Sequence, residues 1–217
     1  MITFLVVLKT GGDYDANYVE RMKEMVERHS SRDVDFVCLS DDPQVPGYYP
    51  LRHNWKGWWS IIEMFRITGP VIATGLDTII TSSLAPLEKL ASDCPLDSFY
   101  MCRPQKRALA RGVKWSSGVM VWSGDWTGIY HDFRRAPDKN MIKFKKGGEQ
   151  AYSSDWLIRK EVDIRVIQDV VPGIYSYKYH CRNSLPDDAK IIMFHGRPRP
   201  SEATAPWIKT WWGEGEG

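Results

Sequence analysis

The sequence predicts an α/β fold, a mixed but mainly parallel sheet with helices on both faces, in a single domain. Three observations carry this. Apolar, β-branched runs of strand length alternate with segments of helical periodicity along 217 residues. Turn-forming residues directly follow the early apolar runs. Hydrophobic residues make up 43% and charged residues 26%, ordinary globular values that exclude wholesale disorder, collagen and coiled coil. A chain of this length buries about 70% of its unfolded surface, enough for one core without staples. The domain is read as residues 1–212, with 213–217 (Gly-Glu-Gly-Glu-Gly) as a flexible tail.

The elements follow in order. Residues 2–8 form a buried strand, and Lys9-Thr10-Gly11-Gly12-Asp13 a turn. Tyr18, Met22, Met25, Val26 and His29 recur at helical spacing, with Asp15 as N-cap. Residues 35–39 form a second strand ending in Ser40-Asp41-Asp42-Pro43. Strand, helix and strand at this spacing make a βαβ unit with parallel strands. A Pro, Gly and Tyr-rich loop covers 43–57, a short helix 58–66 and a third strand 70–74, which runs through Gly75-Leu76-Asp77-Thr78 into Ile79-Ile80. Further helices are expected at 86–91, 125–135 and 150–160, and further strands at 98–102, 117–122, 164–168 and 190–194. Ligands of such sheets bind beyond the C-terminal strand ends, so loops 9–14, 40–43 and 75–78 should share one edge.

A net charge of +2, from 29 basic and 27 acidic residues, makes no global case for nucleic acid or an anionic membrane. No stretch approaches the ~18 apolar residues of a membrane span. The first residues lack a basic n-region and a cleavage site, so they read as a strand and not a signal peptide. Cys38, Cys94, Cys102 and Cys181 form no CxxC pair. Their spacing argues against zinc and disulfides and for a reducing, cytoplasmic setting. Ten tryptophans, two pairs of them adjacent (Trp58-Trp59 and Trp211-Trp212), read either as core or as stacking surface for a base or sugar.

One set of motifs is specific in combination. Leu8-Lys9-Thr10-Gly11-Gly12-Asp13-Tyr14, Cys38-Leu39-Ser40-Asp41-Asp42, Lys56-Gly57-Trp58-Trp59-Ser60 and Thr74-Gly75-Leu76-Asp77-Thr78 occur in order. Ser116-Ser117-Gly118-Val119-Met120, Gly148-Glu149-Gln150, Ser176-Tyr177-Lys178 and His195-Gly196-Arg197-Pro198-Arg199-Pro200 follow. This series resembles GT-A fold glycosyltransferases, close to the family-eight retaining group and its small bacterial and phage relatives. The resemblance implies transfer of a sugar, with retention, from a nucleotide-diphosphate sugar (UDP by family habit) to an acceptor. Glycan, lipid, protein and modified nucleic acid all remain open as acceptor. It implies Lys9, Thr10, Tyr14, Asp41, Asp42 and Trp58 at the donor, with Asp77 and His195 on a divalent metal, Mn²⁺ or Mg²⁺. It implies Lys178, Gly196 and Arg199 at the diphosphate, and Ser117, Gly118, Glu149 and Gln150 at the sugar. Asp155, in Ser153-Ser154-Asp155, is a second candidate for the reacting face.

The chemistry is coherent, because a diphosphate leaving group carries charge that a cation must offset. Ordinary readings stand beside it: Asp77 as a turn residue, His195 as a satisfied core histidine, Glu149 as a first-turn acid favoured by the helix dipole. Lys178, His180, Arg197 and Arg199 suit phosphate oxygens or form a solvated basic face. Lys143-Phe144-Lys145-Lys146 reads as a flexible loop. Three departures matter. Gly75 stands where the family carries the first metal-binding Asp, Ile61 where it carries Lys, and Ser116 where it carries Asn. The first motivates an alternative, a nucleotide-sugar-binding protein with weakened or lost catalysis. A nucleotidyltransferase is a second, and Gly11-Gly12 matches its glycine-rich loop poorly.

Overall fold

The computed structural model describes residues 1–213, less the Arg107 side chain, so 214–217 of the expected tail lie outside the described residues. Gly213 is described and follows the last helix at φ +83°. In chain order the strands are β1 (Ile2–Leu8), β2 (Val34–Ser40), β3 (Tyr48–Pro50), β4 (Val71–Thr74), β5 (Thr78–Ile80), β6 (Ser98–Cys102), β7 (Ser116–Trp122), β8 (Asp163–Val166), β9 (Ile174–Ser176) and β10 (Ile191–Met193). The helices are α1 (Ala16–His29), α2 (Ala85–Asp93), α3 (Lys106–Leu109), α4 (Thr127–Arg134), α5 (Pro137–Lys143), α6 (Gly148–Arg159), α7 (Ile167–Val170) and α8 (Pro206–Trp212). Residues Gly57–Arg66 form a 3₁₀ helix and Tyr177–Cys181 a π-helical turn.

Seven strands form the main sheet in the order β3-β2-β1-β4-β7-β6-β8. The expected βαβ unit is present, with β1 parallel to β2 from Ile2–Val34 to Leu8–Ser40. Only β7 runs against its neighbours β4 and β6. The pleat sorts each strand onto two faces. Phe4, Val6 and Leu8 enter a core with α1 and α2, while Leu5 enters the opposite core with the 3₁₀ helix, α4 and α6. On β7, Val119 and Val121 face the first core and Met120 and Trp122 the second.

Several elements differ from expectation. Residues 79–80 and 190–194 do not extend the main sheet. β5, β10 and β9 make a separate three-stranded sheet, with β10 antiparallel to β5 and parallel to β9. The chain breaks out of β4 at Gly75-Leu76, and the small sheet packs into the same core as α1. The loop expected over 43–57 contains the edge strand β3, paired parallel to β2. Asp15 precedes α1 but its side chain makes no capping bond. The basic run is no free loop: Lys143 ends α5, and Gly147 and Gly148 N–H groups donate to the Phe144 carbonyl at 3.0 and 2.8 Å. Tryptophan is mostly core, six of ten being buried (Trp55, Trp59, Trp122, Trp126, Trp156 and Trp212). The four cysteines are buried and free, and burial pushes the Cys38 and Cys102 thiols up to about 12. Among the described residues no helix is long and apolar enough to cross a membrane.

Candidate active site

The loops after β1, β2 and β4 meet at one rim, as the topology requires. Asp41 accepts hydrogen bonds from the Lys9 ammonium and from the Thr10 N–H and hydroxyl, the last two both at 2.9 Å. Burial acts to raise its pKa, but these donors outweigh it and hold the carboxyl down at about 2. Asp42 instead organises its own turn: its N–H donates to Ser40 Oγ at 3.0 Å, and its Oδ1 accepts from the Gln44 N–H at 3.0 Å.

The Asp77 and His195 strand ends are adjacent, because the Phe194 N–H donates to the Asp77 carbonyl at 2.9 Å. Asp77 Oδ2 accepts from Arg199 Nη1 at 3.0 Å. The same guanidinium donates to the Tyr14 hydroxyl oxygen and, through Nη2, to Asp13 at 2.5 Å, and it lies 4.7 Å from the Tyr14 ring centroid. Burial pushes the Asp77 carboxyl above its ordinary range, against the pull of Tyr14 and Arg199. The Tyr14 hydroxyl is raised too, by burial and then by Asp77. His195 Nε2 is buried without a hydrogen-bond partner. Burial, aided by the Lys178 charge, pushes the imidazole down to about 4, so it is neutral at pH 7. Lys178 donates to the His195 carbonyl.

Beside this cluster opens a cleft of about 580 Å³. Trp58, Glu149, Gln150, Lys178, His195 and Gly196, all expected site residues, line it. Glu149 is buried at the start of α6 and accepts from Ser117 Oγ at 2.7 Å. Burial pushes its carboxyl up to about 7, the Ser117 bond pulling the other way. A register slip presents Ser117. Pairing of β6 with β7 jumps from Met101–Met120 to Cys102–Ser116, leaving 117–119 without a partner on β6. Gly148, at φ +67°, lets α6 start under Trp58; a Cβ there would meet the indole Nε1 at 3.1 Å. Trp58 is 57% exposed, unlike the core tryptophans, which leaves its face available for stacking. Gly118 lies beneath β10, where a Cβ would meet Met193 Sδ at 2.6 Å, so it supports the site without lining it.

Asp155 is not brought to Glu149. It pairs with Arg159 at 2.8 Å and Lys143 at 4.0 Å, in an adjoining cavity of about 400 Å³ lined also by Arg111, Lys114, Lys145 and Lys146. His180 is structural, its Nδ1 accepting from the Ser176 N–H at 3.1 Å. Gln105, Arg111, Lys146 and Tyr179 line the main cleft without belonging to any motif. Asp13 stood in the first motif but was given no site role.

The residues present do not fit the expected metal. Gly75 offers no carboxylate, and a Cβ there would sit 2.8 Å from Asp77 Oδ1. Asp77 is engaged by Arg199, and Asp41 by Lys9 and Thr10. Among the described residues no group of three or more His, Cys, Asp or Glu could hold a metal ion.

No family model matches the chain, and no curated protein does. Solved structures do. The glycosyltransferase GlyE of Streptococcus pneumoniae TIGR4 superposes with a TM-score of 0.68 at 14% identity over 98% of this chain, which spans 60% of that one. The galactosyltransferase LgtC, solved with donor and acceptor sugar analogues, gives 0.62 at 13% identity over 96% of this chain and 93% of that one. Mouse xyloside xylosyltransferase 1 gives 0.56 at 9% identity over 90% and 97%. The fold is that of the GT-A glycosyltransferases, as the motif resemblance implied.

Proposed function

We propose that the chain transfers a sugar from a nucleotide-diphosphate sugar, UDP-linked by the family's habit, to an acceptor hydroxyl. One observation carries this: the cleft containing the buried Glu149–Ser117 pair opens beside the rim where Lys9, Thr10, Tyr14, Asp77 and Arg199 converge. The rim suits a base and ribose, the cleft next to it the diphosphate and a sugar ring, with Trp58 as platform. In the transfer, the bond from C1 to the diphosphate oxygen breaks with its electron pair leaving on the phosphate. The acceptor oxygen bonds C1 and loses its proton to a base. Glu149, with a pKa near 7, is poised to stabilise positive charge at C1 or to exchange that proton. A retained configuration at C1 belongs to this reading, by resemblance to the family.

The test is nucleoside diphosphate release from a panel of UDP-, GDP-, CDP-, ADP- and dTDP-sugars, with and without simple sugar acceptors. At least one donor should turn over, and Glu149→Gln should slow it by about a hundredfold or more. Release from no donor, with a nucleotide still raising the melting temperature, would leave a nucleotide-sugar-binding protein.

A further inference from the structure

We infer that the donor diphosphate is bound without a divalent cation, Arg199 standing beside Asp77 where a cation would sit and cleft cations meeting the phosphate charge. This rests on the donor reading above.

A divalent ion that bridges to substrate phosphates still takes at least one free carboxylate from the protein. Asp77 already has a cation at 3.0 Å, held from three sides because Arg199 also binds Asp13 and Tyr14. A planar guanidinium is pre-organised to bind several acceptors at once, where an ammonium is a point charge. The position two residues earlier is Gly75, which brings no carboxylate, and a Cβ there would come within 2.8 Å of Asp77 Oδ1. Gly75 does not have positive φ, so its backbone does not require glycine, and the site lacks paired carboxylates because glycine brings none.

Charge removed with the metal has to come from elsewhere. Asp77 and Asp13 are met by Arg199, and Arg197 bridges Asp13, at 3.6 Å, and Glu202, so these carboxylates are all paired, though they outnumber the two guanidiniums by one and further cations are needed for a phosphate. The cleft wall adds Arg111, Lys146 and Lys178. Arg111 and Lys146 have no carboxylate within ion-pair distance among the described residues, and Glu149 is the one carboxylate lining that cleft. His195 Nε2, buried and unpartnered, offers one more hydrogen-bonding atom there. Side-chain cations can supply the leaving-group stabilisation that a metal supplies elsewhere.

The experiment is calorimetric titration of chelator-dialysed protein, its metal content checked by atomic spectroscopy, with UDP, GDP, CDP, ADP and dTDP. Each is run in EDTA and in Mn²⁺. One nucleotide should bind in EDTA with an affinity within about threefold of that in Mn²⁺. The double variant Arg111→Gln, Lys146→Gln should weaken that binding at least tenfold without lowering the melting temperature. Binding only in Mn²⁺, or more than tenfold tighter there, would overturn the inference and leave the donor reading intact. Unchanged affinity in a folded double variant would overturn the assigned phosphate cations. Binding of no nucleotide in either condition would overturn both readings.

Discussion

Glu149 and His195 line one cleft with pKa shifts of opposite consequence for stability. Glu149 binds its proton more tightly folded than unfolded. Its contribution is complete below pH 4.5 and is lost as pH rises to about 7, a change of about 3 kcal/mol. His195 resists protonation when folded, so its contribution is complete above pH 6.5 and is lost as pH falls toward about 4. The two oppose each other over the shared interval and flatten the wild-type profile. Glu149→Gln separates them. Its melting temperature relative to wild type should rise by several degrees between pH 5 and pH 8, by scanning calorimetry at both. A constant difference would mean Glu149 titrates as an exposed acid does.

The 3₁₀ helix that carries Trp58 depends on one buried carboxylate. Glu63 is fully buried, accepts the Arg52 and His53 N–H groups at 2.8 and 2.9 Å, and pairs with the buried Arg66. That fastens the segment before the helix, where His53 stacks on Trp55 and meets the Tyr130 hydroxyl at 2.8 Å. Arg66 already has two nitrogens without partners. Glu63→Ala would therefore strand a buried charge and two backbone donors, costing about 3–5 kcal/mol. The melting temperature should fall by roughly 10 °C, read by thermal denaturation. Glu63→Gln, which keeps the acceptor, should cost less. Equal losses would show that the charge, which both variants remove, matters there and that the acceptor and the packing do not.

Across the whole molecule, the C-terminal helix reaches the site through a chain of rings. Trp212 on α8 is buried against Tyr18, ring centroids 5.0 Å apart, and Tyr18 lies 5.0 Å from Tyr14, which touches Arg199. Tyr18 and Ser201 hydroxyls meet at 2.7 Å, and Arg21 donates to the Trp212 carbonyl. Removing the indole should cost about 3–5 kcal/mol, as large-to-small core changes do. Trp212→Ala should melt roughly 10 °C lower. At a temperature where it remains folded it should also bind nucleoside diphosphate more weakly, because Tyr14 loses its support. Unchanged melting would mean that α8 carries no stability.

The longer strands and helices through β7 were legible in order because they are written locally. Alternating apolar residues must face two cores, and a βαβ crossover leaves its loops at one edge. The loops that carry Lys9, Asp41 and Asp77 were readable for the same reason, whereas these side chains and Glu149 were singled out by the motif resemblance. Short elements were not legible: β3, β9 and α8 span 3, 3 and 7 residues, too few for a period to register. Nor was the small sheet, which exists because β10 returns over a hundred residues later to pair with β5. The partner of Asp77 was the costliest omission. Sequence matching offered a metal, but the side chain that meets Asp77 is Arg199, 122 residues away along the chain. Local chemistry names which groups can carry charge. Which charges meet is decided by long-range packing, and here packing sets a guanidinium, not a second carboxylate, beside Asp77.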